Sequence, residues 1–577
     1  MKIVIVGGVA AGMSAAARSR RLSEEANIVV LERSQYVSFA NCGLPYHIGG
    51  DIKDRDQLVL QTVESLAESL NLDVRTGHEV IKIDQKTKTI TVKALVDGQE
   101  YTESYDKLVL CPGASPIKPN LPGINSTKIL TLRNIEDMDV IKSKVDSGLK
   151  HVIVIGAGYI GVEMAENLRH RNLNVTLVEL AEQIMPPLDA EIARDLQYHL
   201  EYHGVSLKLG LAAKSFTDRD NQITVTLTDD SEITADIVIL AVGVRPEVSL
   251  LAGTNIALGS SGGILVNPHM QTSDTNIYAA GDVVEVTDTI TKQPAIIALA
   301  GPANRQGRMI ADHIFGRQSA YTSTQGTAIV KVFEMTAGGT GASEKTLKRY
   351  NIPYQKIYIH PSDHASYYPG TTSMQIKILF APANGKLLGA QVVGYDGVDK
   401  RIDIFAIALR AGMTVYDLEQ VELAYAPPYG SAKDPINMAG FVAANYLRGD
   451  IDFWYSEEYP DIASDSVIID VRGPKEYQTW HIPGAINIPL GKIRHQLANI
   501  PKNKPIRLYC RVGFRSYLAY RILVQSGFSD VKTLAGGSKT FCSHHRTPLC
   551  TGKPGIPFVA HAEEKLAEQT TTNTCSA

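Results

Sequence analysis

Short apolar runs closed by glycines or by a single acid recur along the chain and set out its plan. Residues 3–6 (Ile-Val-Ile-Val) form one such run, followed by Gly7-Gly8-Val9-Ala10-Ala11-Gly12 and the small residues 14–17. The pattern predicts a buried strand, a glycine turn and a helix, then a second strand over residues 28–31 that ends in Glu32. The order repeats about 150 residues later. Residues 151–155 run into Gly156-Ala157-Gly158-Tyr159-Ile160-Gly161, a helix containing Glu163, and a strand over residues 175–178 that ends in Glu179. Further strands are predicted over residues 108–110, 275–280, 327–333, 377–380 and 387–394, and an amphipathic helix over 399–412. A last group begins with a strand at 467–472. It continues with a strand at 506–509 that opens into Cys510 and a helix.

The glycine turns carry the first chemistry. Glycines let backbone N–H groups approach a diphosphate, and the positive end of the following helix favours its charge. Glu32 lies 20 residues after Gly12 and Glu179 lies 18 after Gly161, each placed to bind ribose hydroxyls. The second turn is a complete G-x-G-x-x-G, whereas the first has Val9 at the middle glycine. After Glu179 come Leu180, Ala181 and Glu182, with no Arg for a 2′-phosphate, which favours NADH over NADPH.

Composition narrows the class. The 577 residues suggest about four domains at roughly 150 residues each. The 57 basic and 61 acidic residues give a net charge of -4, so no basic excess points to nucleic acid or an anionic membrane. No apolar run reaches the ~18 residues of a membrane span. The opening strand leaves no room for a signal peptide. Six scattered cysteines are not a disulfide framework, so a reducing, cytoplasmic setting is expected.

Together with Leu108-Val109-Leu110-Cys111-Pro112-Gly113-Ala114 and the Gly281-Asp282 pair, the two turns resemble the flavoprotein disulfide reductases with two dinucleotide sites, over residues 1 to about 445. That resemblance implies FAD on the first turn and NADH on the second, with Asp282 on the ribityl chain. It assigns Gly7, Val9, Ala10, Gly12, Glu32, Arg33, Val80, Gly113, Arg133, Gly156, Gly158, Gly161, Glu179, Gly243, Asp282 and Ala300 to cofactor binding.

Most relatives of this kind carry a C-x4-C pair, but here the fifth residue after Cys42 is His47, so no local disulfide forms. Cys42 acts alone or with an external thiol, as a mixed disulfide, persulfide or sulfenic acid. The string Ser38-Phe39-Ala40-Asn41-Cys42-Gly43-Leu44-Pro45 resembles the single-cysteine branch of coenzyme A disulfide reductases, NADH oxidases and NADH peroxidases. The oxidases and peroxidases place a His in the first turn, and Val9-Ala10-Ala11 has none. In the coenzyme A branch the resemblance gives substrate binding to Ser14, Arg18, Arg21, Ser38, Asn41 and Lys433.

Residues 325–447 resemble the dimerisation domain of these enzymes, which implies a homodimer. Its strings around Tyr367 and Tyr425 resemble those whose tyrosines approach the cysteine of the other subunit. Residues 455–541 resemble a rhodanese sulfurtransferase domain, with Cys510 as the sulfur carrier and Arg511, Gly513 and Arg515 in its loop. Backbone N–H groups and the two arginines are expected to favour an anionic persulfide there. Cys542, His544, His545 and Cys550 fit no zinc spacing, no metal is expected, and residues 542–577 read as a flexible tail.

The expected fold is α/β: two Rossmann-like dinucleotide-binding domains, an α+β dimerisation domain and a C-terminal α/β rhodanese domain. The FAD domain spans 1–150 and returns over 251–324, with the NAD domain at 151–250. The expected activity is NADH- and FAD-dependent reduction of coenzyme A persulfide or polysulfide, or of coenzyme A disulfide, through Cys42, with sulfane sulfur supplied through Cys510. An NADH oxidase working through a sulfenic acid and a sulfur-carrier or sensor module remain the alternatives.

Overall fold

The computed structural model describes residues 1–459 and 461–545. The chain divides into two units. The first comprises Met1–Glu182 and Gly204–Gly326, and the second comprises Gln183–His203 and the residues from Thr327 onward.

The first unit contains two five-stranded parallel sheets of similar design. One has the order Ile277–Ala279, Lys107–Leu110, Lys2–Val6, Asn27–Glu32, Asp73–Thr76. The other has the order Val205–Leu209, Asn174–Glu179, His151–Ile155, Ile237–Leu240, Ile129–Leu130. In each, the strand that leads into the glycine turn lies at the centre, buried on both faces, which is why it reads as a continuous apolar run. Each unit of strand, turn and helix is followed by a three-stranded antiparallel insertion: His78–Asp84, Thr89–Ala94, Glu100–Ser104 in one half, and Ala213–Arg219, Gln222–Leu227, Glu232–Ala235 in the other.

The second unit holds a five-stranded antiparallel sheet, Ala328–Val332, Met335–Gly341, Leu387–Gly394, Gln375–Phe380, Gln355–Ile359, covered by the helix Val398–Arg410. Its C-terminal sheet is parallel, Phe453–Trp454, Val531–Leu534, Ile506–Tyr509, Val467–Asp470, Ile486–Asn487. The helix Ala190–Tyr202 belongs to this unit although it follows the second glycine-turn repeat in sequence. The reason is ionic. Lys377, wholly buried, donates from Nζ to Asp189 at 2.8 Å, Glu191 at 2.5 Å and Glu344 at 2.8 Å, tying the segment before and within that helix to the sheet. Lys356 bonds both Glu344 and Glu457, extending the network to the C-terminal region.

The helix Gly537–His545 runs past the boundary read at residue 541, and Cys542, His544 and His545 belong to it. It continues because Phe541 and Cys542 are buried, with Phe541 packed on Tyr459 and Trp480. Cys550 and the rest of the expected tail lie outside the described residues. Among the described residues, no helix is long and apolar enough to cross a membrane.

Candidate active site

The two glycine turns are built by the same contacts. Gly156 has φ +101°, and a Cβ on Gly161 would fall 1.8 Å from the Gly156 carbonyl oxygen. Gly7 and Gly12 repeat this, with φ +99° and a 1.9 Å clash. These four glycines are demanded by the fold itself. Gly158 differs: a Cβ there meets nothing within 4 Å, and its φ of -76° suits any residue. Val9 occupies the matching position with φ -114° and ψ -137°, so the turn accommodates a residue with a Cβ there.

Each turn is braced by its acid. Glu32 accepts from the Gly8 N–H at 2.7 Å and the Ser34 N–H at 2.8 Å. Glu179 accepts from the Ala157 N–H at 2.7 Å and the Ala181 N–H at 2.9 Å. Each carboxylate oxygen retains a lone pair for a ribose hydroxyl.

Cys42 lies exposed in the one-turn helix Asn41–Gly43, directly before the helix Leu44–Gly49. Ser38 holds φ +47°, with its N–H on the Gly8 carbonyl, which carries the cysteine loop from the first glycine turn. Asn41 donates to the Arg133 carbonyl at 3.4 Å. His47 is buried, with Nδ1 2.7 Å from the Ile52 carbonyl oxygen, a bond that fixes the loop.

The electrostatic neighbours of Cys42 belong to this unit. Partial burial pushes its thiol up, and the carboxylates of Glu163 and then Asp282 add to the shift. Glu163 is itself pushed up to about 7 by burial and accepts from the Tyr46 hydroxyl at 3.4 Å. Asp282 is raised by burial and offset by Arg133. Arg133, lowered by burial, donates to the Pro112 carbonyl and the Ser115 hydroxyl and senses Arg33, Glu247 and Glu32. The role of Glu163 was missed in the sequence. The available signal was an acid two residues after the last glycine, on the helix Tyr159–His170 that follows it.

Other assigned positions fall into distinct settings. Arg18 is paired with Asp312 at 2.7 Å, and Ser14 donates to Asn304 at 2.7 Å, while Arg21 is exposed. Val80 is a core residue of the insertion sheet. Gly113 and Gly243 adopt φ +72° and +112°, and Ala300 opens the helix Ala300–Ile314.

In the second unit the two tyrosine strings are brought together. The Ala365 N–H donates to the Gly430 carbonyl, and the hydroxyls of Tyr367 and Tyr425 lie 2.9 Å apart. Tyr367 is 74% exposed and Tyr425 48%, an unusual display for two phenols. Lys433 is exposed beside Asp434, which caps the helix Pro435–Leu447.

Cys510 ends the strand Ile506–Tyr509 and is buried. Its sulfur accepts from the Gly513 N–H at 3.2 Å, and the Ser516 hydroxyl lies 3.6 Å away. Thr533 donates to Ser516 at 2.7 Å and so fixes that hydroxyl. Gly513, with φ +102°, permits the turn into the helix Phe514–Gln525. Arg511 is exposed. Arg515 gives both guanidinium nitrogens to Glu476, at 2.7 and 2.8 Å, so a carboxylate offsets the charge that the sequence reading directed at the sulfur. Ser516 and Thr533 are the neighbours that reading did not single out.

Residues 1–307 match the pyridine nucleotide-disulphide oxidoreductase family. The chain belongs to that family. Residues 327–434 match the dimerisation domain of the same oxidoreductases, and residues 456–544 match a rhodanese-like domain. The coenzyme A disulfide reductase of Staphylococcus haemolyticus is 36% identical over 444 residues, covering 77% of this chain and 99% of the relative. The reduced CoADR-RHD of Bacillus anthracis is 48% identical with a TM-score of 0.92, covering 94% of this chain and 98% of that one. A NAD-dependent persulfide reductase from A. fulgidus is 35% identical with a TM-score of 0.88, covering 94% and 100%.

As a pyridine nucleotide-disulphide oxidoreductase the protein is an FAD- and NAD-dependent enzyme, and its residues fit both groups. The open space over Gly158 would let a diphosphate approach the backbone. On the flavin side, no donor among the described residues reaches the largely buried Asp282 carboxylate, which leaves it for a ligand hydroxyl.

Proposed function

We propose that this oxidoreductase uses NADH to reduce coenzyme A persulfide or polysulfide, and coenzyme A disulfide, through Cys42, while its rhodanese domain delivers sulfane sulfur through Cys510. The observation that carries the reading is the pairing of two different sulfur sites in one chain. Cys42 has no cysteine partner in its loop, and Cys510 has a donor-lined cradle of its own. A disulfide reductase alone has no use for the second.

Bound FAD supplies two electrons that originate in NADH. The Cys42 thiolate attacks the carbon-bound sulfur of coenzyme A persulfide. The sulfur–sulfur bond breaks, hydrosulfide leaves, and a disulfide between Cys42 and coenzyme A forms. Two electrons and one proton then return the Cys42 thiolate and coenzyme A thiol. With coenzyme A disulfide the same attack releases one coenzyme A thiolate. Glu163, pushed up to about 7, exchanges a proton near neutral pH beside the cysteine. The enzyme works as a homodimer in which Tyr367 and Tyr425 of each chain serve the cysteine of the other, one phenol donating a proton to the departing thiolate. Arg18, Arg21 and Lys433 bind coenzyme A phosphates, which requires Arg18 to leave Asp312 or to share it. Ser38 and Asn41 flank the thiol end. Cys42, Cys111 and Cys510 are free thiols, as a reducing compartment favours, whereas Cys542 is disulfide-bonded.

At Cys510, the Gly513 N–H and the Ser516 hydroxyl stabilise an anionic persulfide. The decisive variant is Cys42→Ser. It retains flavin, as read from the visible absorption spectrum, and loses NADH oxidation with every sulfur substrate. Full turnover in that variant would sink the role of Cys42.

A further inference from the structure

Two groups of three metal-ligating side chains occur among the described residues. One, Asp189, Glu191 and Glu344, already has its cation, because the Lys377 ammonium sits among all three carboxylates. The other is His199, His203 and Glu334, in which both imidazoles meet one carboxylate.

His199 and His203 are four residues apart at the end of the helix Ala190–Tyr202, so their imidazoles share one face. Glu334 stands in the two-residue turn between the strands Ala328–Val332 and Met335–Gly341. Both Nε2 atoms lie 3.0 Å from the same carboxylate oxygen, Glu334 Oε2. A tetrahedral zinc ion with bonds of about 2.0–2.1 Å holds its ligand atoms roughly 3.3 Å apart. Each imidazole nitrogen therefore stands close to the spacing from the carboxylate oxygen that one ion imposes, and all three atoms lie within 4.8 Å of one another. Without an ion, this geometry needs both rings in the Nε2–H tautomer, with two donors on one oxygen. With an ion, three lone pairs satisfy one charge.

Two further features favour the second arrangement. His199 is wholly buried and its Nδ1 has no partner. The turn itself is strained: Phe333 holds φ +51° at a position that favours glycine, and its ring stacks on His203 at 3.8 Å. That stack fixes the His203 ring and positions the neighbouring Glu334.

We propose that His199, His203 and Glu334 form a binding site for a divalent transition ion of the zinc class, with an open fourth position facing solvent through Glu334. The side chain of Glu334 is 59% exposed, which gives the ion an entry path. The ion clasps the helix Ala190–Tyr202 to the first hairpin of the antiparallel sheet. The site is independent of the sulfur chemistry proposed above.

The test uses the full-length holoenzyme, stripped with a chelator, desalted and dialysed to equilibrium against Zn2+. Because a change at buried His199 endangers the fold, the variants are Glu334→Gln and His203→Gln. Zinc content per chain and the zinc-induced change in Tm are measured for each, with circular dichroism and NADH turnover as controls. The wild type is expected to hold one zinc per chain more than either variant. Its Tm is expected to rise by on the order of 5 °C at a hundredfold excess over Kd, a rise that both variants lose. Equal zinc content in all three proteins would overturn the proposal, since the bound zinc would then sit on cysteines or other histidines. An equal Tm rise in the variants, or no zinc bound by the wild type, would overturn it too.

Discussion

Replacing Lys377 by Met removes the cation at the centre of the second unit while keeping the length and much of the volume of the side chain. Lys377 is fully buried and meets Asp189, Glu191 and Glu344 at 2.5–2.8 Å, with the Tyr358 ring 5.4 Å away. The three carboxylates are also buried, so the variant leaves them with Lys356 as the remaining buried cation. Breaking one buried pair from one side costs about 3–5 kcal/mol. At roughly 2–4 °C per kcal/mol, the Tm should fall by about 6–20 °C. The pH dependence separates this cause from simple loss of packing. In the wild type, Glu191 is held down at about 2 chiefly by Lys377 against its own burial, and Glu344 is held lower still. A depressed carboxylate contributes stability that is present above its unfolded value of about 4.3 and is lost as pH falls toward 2. These two groups therefore add no slope between pH 8 and 5. In the variant, burial without the cation raises both carboxylates, so protonation relieves the fault and the Tm deficit shrinks from pH 8 to pH 5. Differential scanning calorimetry at both pH values measures this. A deficit under about 2 °C, or a deficit equal at both pH values, would refute the electrostatic account.

Other outcomes are equally direct. Glu163→Gln removes a carboxylate that holds the Cys42 thiol up, so alkylation of Cys42 by iodoacetamide should titrate at lower pH than in the wild type, and an unchanged profile would remove Glu163 from the site. Cys510→Ala should abolish sulfur transfer from thiosulfate to a thiol acceptor while NADH-dependent reduction of coenzyme A disulfide continues, as a coupled absorbance assay would show. Gly158→Ala meets no atom of the protein and should fold normally, yet raise the KM for NADH by about tenfold or more because the methyl occupies the approach of the diphosphate. An unchanged KM would place the nucleotide elsewhere.

Most of the architecture is legible in the sequence because its signals are local. The strand Leu387–Gly394 is a continuous buried run and Ile506–Tyr509 is buried at all but Arg507, and the reading found both with the same ends. The glycine turns also announce themselves, since Gly7, Gly12, Gly156 and Gly161 are required by close backbone contacts within one short segment. What escaped depends on residues far apart in the chain. Nothing in the run around Glu191 announces Lys377, 186 residues later, so nothing announces that the helix Ala190–Tyr202 joins the second unit. Asp312 on Arg18 and Glu476 on Arg515 are likewise long-range partners, and each changes what a locally read arginine is free to do. The contact between Tyr367 and Tyr425 crosses 58 residues, and both strings had been singled out by their Pro- and Gly-rich loops together with the family resemblance.

The central claim is that both sulfur sites serve one reduction pathway, and anaerobic NADH oxidation by the purified protein tests it most directly, with coenzyme A persulfide and coenzyme A disulfide compared at matched concentrations. The account predicts faster turnover on the persulfide, with one sulfide released per NADH consumed. Faster turnover on the disulfide, or NADH consumed without sulfide, would contradict it and separate the rhodanese domain from the chemistry at Cys42.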